Sequence, residues 1–128
     1  MKTSVKCLIC LGSNLNPETN IHVAVRCLTV LFPDIVWGHP VYTPAEGVMS
    51  PFPLPDYTNL AATFTTTLSP DEIKHHFRQI EDSCGRTPVS RKTGLIPLDI
   101  DLLIHGEAVL KPSDLKTSYV QLAISAIP

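Results

Sequence analysis

The sequence predicts an α+β domain, an antiparallel sheet with helices packed on one face. Three observations predict it. Four segments have the apolar or alternating pattern of strands, two stretches carry helical apolar spacing behind clear start signals, and they follow one another as β-α-β-β-α-β. That order is the split arrangement of ferredoxin-like domains. At 128 residues the chain is expected to form a single domain, residues 1–128, around one hydrophobic core.

Residues 5 to 11 are apolar almost throughout, as a central strand should be. "GSNLNP" turns the chain, and Asn16 is expected to cap a helix that opens on Pro17 with Glu18 in its first turn. Ile21, Ala24, Val25, Leu28, Leu31 and Phe32 recur at helical spacing until Pro33. A second strand is expected from Ile35 to Tyr42. The prolines at 44, 51, 53 and 55 then forbid regular structure and predict a long surface loop. From Tyr57 to Leu68 the chain alternates, with Tyr57, Asn59, Ala61 and Thr63 on one face and Thr58, Leu60, Ala62 and Phe64 on the other. Ser69, Pro70 and Glu72 form a capping box for the second helix, whose stripe is Ile73, Phe77, Ile80 and Cys84 and whose stop is Gly85. A polar loop with Gly94 as its flexible point leads into the fourth strand, Pro97 to Ile104. The tail from Ser118 reads as a last short helix.

Charge excludes some functions. Net charge is −2, with 17% charged residues, so there is no basic footprint for nucleic acid or anionic membrane. No apolar run approaches a membrane span, and the first residues lack a signal-peptide pattern. The expectation is a cytoplasmic protein, monomeric or a weak homo-oligomer. Cys7 and Cys10 form a C-x-x-C, but on a strand they point to opposite faces. Cys27 and Cys84 fall on apolar helix faces, so all four are expected to be small buried hydrophobes rather than metal ligands or disulfides.

"IPLDIDLLIHG" carries the chemistry. Asp99 and Asp101 lie two apart on a strand, so both point to the face opposite Leu98, Ile100 and Leu102. Two adjacent carboxylates repel unless a cation sits between them, and hard oxygen ligands at this spacing suit Mg²⁺ with phosphate oxygens. The alternative is the solvated face of an amphipathic strand, and the pattern alone leaves both open. The preceding loop supplies Arg86, Arg91 and Lys92, which could serve phosphate chemistry or simply be solvated. Arg86, beside the strand face, is favoured for function.

Four stretches in order, "CLGSNLNP", "YTNLA", "IEDSCGR" and "PLDIDLLIHG", resemble the 6-hydroxymethyl-7,8-dihydropterin pyrophosphokinases. The resemblance covers about residues 5 to 115. It implies a ferredoxin-like fold and transfer of the pyrophosphoryl group of ATP to a pterin alcohol in folate biosynthesis, with two Mg²⁺ ions. Carried over by position, Asp99 and Asp101 would ligate the metals and, with Arg86 and Lys92, act in catalysis. Glu81 would join Arg86, Asp99 and Asp101 at the nucleotide. Asn59 would hydrogen-bond the pterin beside Tyr57, Thr43 and Pro44, and Gly12 would let the ring approach the first strand.

The sequence also departs from the family pattern. Thr93 stands where the family's loop has an aromatic, and Ile96 where it has an arginine. Lys92 would supply charge there as a point cation rather than a fork. The family's proline-histidine segment and following arginine have no counterpart, Tyr119 would replace the aromatic that stacks on the pterin, and the loop at 44 to 55 is longer than usual. These departures support a second reading, a binding protein that keeps the pterin or nucleotide pocket without efficient turnover.

Overall fold

The computed structural model of the chain describes residues 3–44 and 54–128, so most of the expected loop at 44 to 55 lies outside the described residues. The central strand is β1 (Val5–Ser13), antiparallel to β4 (Tyr57–Thr66) on one side and to β5 (Asp99–His105) on the other. On the outer edge of β4 lie β2 (Val36–Trp37) and β3 (Val41–Thr43), while β6 (Ala108–Val109) forms a hairpin on β5. The sheet order is β2-β4-β1-β5-β6, with β3 also on β4. This is the expected ferredoxin-like plan, with its second strand broken in two. The break has a local cause. Pro40 has no N–H for the ladder, the Gly38 N–H bonds Ala61 O at 2.8 Å, and the His39 N–H turns to Ala126 O at 3.3 Å.

One face of the sheet is covered by α1 (Pro17–Leu31) and α2 (Pro70–Ser83). Ile21, Ala24 and Leu28 from α1 and Ile73, Phe77 and Ile80 from α2 meet Ile9, Leu11, Leu60, Ala62, Phe64, Leu98, Ile100 and Leu102 in one core. Phe32, just after α1, stacks on Phe64 with ring centroids 3.8 Å apart. The capping box at α2 forms as expected: Ser69 Oγ accepts from the Glu72 N–H at 3.2 Å and Glu72 Oε1 from the Ser69 N–H at 3.0 Å. Gly85 follows with φ 90°, a left-handed stop.

Asn16 does not cap α1. Its backbone is left-handed, φ 47°, and its side chain makes no cap hydrogen bond, since a capping side chain needs an extended backbone to reach back to the first turn. Cys27 is also a correction: it is exposed, because the buried stripe of α1 runs through Asn20, Ile21, Ala24 and Leu28 and leaves it to one side. Cys7 and Cys10 are buried on opposite faces, and burial pushes their thiols up to about 11 and about 12. Cys84 is half-buried against the core, and all four thiols are free.

Among the described residues, helices cover the second face at one end only. After α4 (Pro112–Leu115), the expected last helix α5 (Ser118–Ser125) packs Val120 and Ala123 onto Cys10, Ala61 and Leu103. Its end fits because Gly38 has no side chain: a Cβ there would stand 3.1 Å from Ile127 N. The polar loop holds a short helix, α3 (Pro88–Thr93), opened by Pro88 and by Ser90 Oγ accepting from the Thr87 N–H at 3.2 Å. Gly94, expected as a flexible point, is instead its left-handed cap. Among the described residues no helix is long and apolar enough to cross a membrane.

Asn14, 2% exposed, ties the two loops at the uncovered end together. Its Nδ2 donates to Gly94 O at 2.8 Å, and its Oδ1 accepts from the Ile96 N–H at 2.6 Å. Asn14→Ala leaves both backbone groups unpaired, at a cost of about 2 kcal/mol. In thermal unfolding the midpoint should fall by roughly 5–10 °C.

Candidate active site

The site is written into the sheet register. Gly12 on β1 is paired with Asn59 on β4 and with Asp99 on β5, and one step along, Cys10 is paired with Ala61 and Asp101. Residues directly opposite in a sheet share a face, so these two rows put an amide, a bare backbone and two carboxylates side by side. They lie on the face that α1 and α2 do not cover, the second row running under the start of α5, where Val120 packs beside Cys10 and Ala61.

A cavity of ≈ 390 Å³ opens on these rows. Gly12, Thr43, Pro44, Tyr57, Asn59, Arg86, Asp99, Asp101 and Tyr119 all line it. Gly12 forms open floor, where a Cβ would stand 3.6 Å from Asn59 Oδ1 and 3.7 Å from Tyr57 Cδ1. Asn59 is buried, and its Nδ2 donates to Thr43 Oγ1 at 2.8 Å and to Val41 O at 3.3 Å. Its amide N–H groups are thus committed to β3, while Oδ1 lies on the Gly12 side. Burial raises the phenol pKa of both Tyr57 and Tyr119, and the charge of Asp99 adds to the effect at Tyr57.

A second cavity, ≈ 460 Å³, lies beyond the carboxylates, where Lys74, Arg78, Glu81 and Thr87 contribute. Arg86, Arg91, Asp99, Asp101 and Lys111 line both cavities. The carboxylate pair therefore stands between two chambers, with cations on either side of it.

On one side, Arg86 Nη1 is 2.6 Å from Asp99 Oδ1, 3.0 Å from Glu81 Oε2 and 3.0 Å from Leu98 O. Glu81 is no exposed helix carboxylate. Its side chain is 15% exposed, and Oε2 also accepts the Ile100 N–H of β5 at 2.8 Å. Burial raises its pKa, and the Ile100 N–H and the Arg86 charge oppose that rise. On the other side, Lys111 Nζ is 2.6 Å from Asp101 Oδ1 and 3.8 Å from Asp114 Oδ2.

The two aspartates have opposite environments. Burial is the largest influence and works against the charge of Asp99, but the hydrogen bonds to Arg86 and Asp101 and the charges of Arg86 and Lys111 together outweigh it and hold the carboxyl below its usual range. Asp101 is pushed up to about 6, first by burial and then by the charge of Asp99, with which it shares a hydrogen bond. Two carboxylates drawn this close make an anionic donor pair open to a cation. Among the described residues no group of three or more His, Cys, Asp or Glu side chains could hold a metal ion. A metal here would take two carboxylates from the protein and fill its remaining positions with water or phosphate oxygens. That is how Mg²⁺ is usually held, so the residues fit it.

The structure does not bring Lys92 to the two cavities. Its side chain is exposed, whereas Arg91 lines both; on α3, neighbouring residues point about 100° apart, and the phase of the helix selects Arg91. Ile96 does reach the cavity, as an apolar side chain. Two residues of the site had no signal in the sequence. Lys111 and Asp114 follow the β5–β6 hairpin, which folds them back beside Asp101.

The fold and site define an antiparallel α+β domain of ferredoxin-like order, with paired carboxylates and flanking cations on the sheet face opposite α1 and α2. The chain belongs to the 7,8-dihydro-6-hydroxymethylpterin-pyrophosphokinase family, whose model matches residues 8–128. A relative from Haemophilus influenzae, the 2-amino-4-hydroxy-6-hydroxymethyldihydropteridine pyrophosphokinase, is 32% identical over 105 residues. That match covers 80% of this chain and 64% of the relative, so the chain spans just under two-thirds of that protein's length.

Proposed function

We propose that the protein transfers the pyrophosphoryl group of ATP to the hydroxymethyl oxygen of 6-hydroxymethyl-7,8-dihydropterin, a step of folate biosynthesis, and releases AMP. One observation carries this reading: the carboxylate pair stands in the wall between two cavities, where two substrates would meet. The pterin would lie over Gly12, bounded by Tyr57 and Tyr119, with Asn59 Oδ1 as acceptor for its ring N–H groups and Thr43 and Pro44 at the rim. ATP would take the second cavity, its phosphates facing Arg86 and Arg91.

Asp99 and Asp101 would hold Mg²⁺, two ions by the family's pattern, and the metal would neutralise phosphate charge and polarise the phosphorus under attack. The pterin oxygen forms a bond to the β-phosphorus, the bond from that phosphorus to the α–β bridging oxygen breaks, and the hydroxyl proton leaves to solvent. Arg86 is a fixed cation for this step, because Glu81, Leu98 O and Asp99 hold it before any substrate arrives. Proximity supplies much of the remaining acceleration.

The apolar Ile96 in the cavity and the outward Lys92 favour a second reading, a binder of pterin or nucleotide with little turnover. The deciding experiment is AMP formation from ATP, Mg²⁺ and the pterin alcohol, with Asp99→Ala beside the unaltered protein. Metal-dependent AMP release that disappears in the variant is the expected result. Folded protein that binds both ligands yet forms no AMP would establish the binder instead.

A further inference from the structure

The two cations beside the carboxylate pair are held differently. Arg86, 16% exposed, sits within bonding distance of three oxygens. Lys111 is 41% exposed, on a flexible four-carbon stem, with one short contact to Asp101 and a second carboxylate, Asp114, 3.8 Å away. Arg86 has no other place to go. Lys111 has one, three residues along its own chain.

Charge gives that second place a use. Asp99 and Asp101 lie close together, and while both are ionised they need a positive partner. Without a divalent cation, Lys111 supplies part of it at Asp101. A divalent cation entering between the carboxylates would meet an ammonium already bonded to one of its two ligands.

Resting on the reading of Asp99 and Asp101 as metal ligands, we infer that Lys111 is a tethered counter-ion. It bonds Asp101 when the metal is absent, and it passes to Asp114 when a divalent cation binds. The transfer keeps the site in charge balance in both states, and it sets metal affinity by competition. Lys111 is thus a positioning residue that governs access to Asp101.

Mn²⁺ titration followed by electron paramagnetic resonance, with neither ATP nor pterin present, tests this on the whole chain. Lys111→Met should tighten Mn²⁺ binding by roughly tenfold or more, as for removal of a unit charge within about 4–6 Å. Lys116→Met, the same charge change at an exposed position nearby, should leave it unchanged. Asp114→Asn should weaken Mn²⁺ binding in the unaltered protein and have little effect in a Lys111→Met background, because there is then no ammonium to receive. Circular dichroism checks that each variant is folded. Unchanged or weaker binding in Lys111→Met overturns the inference, as does an Asp114→Asn effect of equal size in both backgrounds. If Mn²⁺ binds and Asp99→Ala abolishes it, such a result sinks the counter-ion alone. If neither the unaltered protein nor Lys111→Met binds Mn²⁺, the reading of the carboxylates as ligands falls with it.

Discussion

Replacing Asp101 with alanine should lower metal-dependent AMP formation by roughly a thousandfold or more, the equivalent of the several kcal/mol that a bound metal contributes to charge stabilisation. The fold should survive the change. Asp101 lies on the sheet face away from the main core, between Ile100 and Leu102, which are buried in that core. Its loss removes a like charge from beside Asp99 and frees Lys111, which retains Asp114 at 3.8 Å. Activity and stability should therefore separate, with a large fall in rate and a melting temperature within a few degrees of the unaltered protein. A steady-state assay of AMP release and a thermal melt on one preparation check both. A rate within tenfold of the parent would remove Asp101 from the chemistry.

Arg86→Ala should do both kinds of damage. The guanidinium is the cation shared by Glu81 and Asp99, and its removal leaves two partly buried carboxylates without it. Breaking a fully buried pair costs about 3–5 kcal/mol. Asp99 is 40% exposed, and water offsets part of that cost, so the expected loss of stability is about 1–3 kcal/mol. The expected loss of rate is roughly a thousandfold, as for other arginines that face transferring phosphate. Glu81→Gln is the instructive companion. It can keep a hydrogen bond to the Ile100 N–H and loses only the charge that holds Arg86, so its rate should fall by roughly tenfold. If Glu81→Gln were as slow as Arg86→Ala, Glu81 would have a direct part at the nucleotide. If both variants kept full rate and stability, the cation would have neither role.

What could be read along the chain and what could not divide on physical grounds. The capping box at Ser69, the stripe Ile73-Phe77-Ile80 and the alternation along Tyr57–Thr66 depend on spacings of two to four residues, and they stand as expected. Asn16 shows the limit of that logic, since the same residue type that caps a helix also tolerates the left-handed backbone it adopts here. Cys27 missed for a similar reason. Apolar character near a stripe does not say where the stripe's edge falls.

The candidate site was legible to the extent that it lies on regular elements. Asp99 and Asp101 share a face because a strand alternates, and Gly12 and Asn59 join them because β1 pairs with both neighbours. Lys92 was expected and Arg91 took its place, because a loop has no phase until it becomes α3. Lys111 and Asp114 could not be found by spacing, for their positions depend on the turn and register of the β5–β6 hairpin. By itself the sequence determined the order of the elements, the faces of the strands and the carboxylate pair, all consequences of short-range geometry. Only the tertiary structure decided which cations reach that pair and how far α5 covers the sheet, because those depend on contacts between residues distant in the chain.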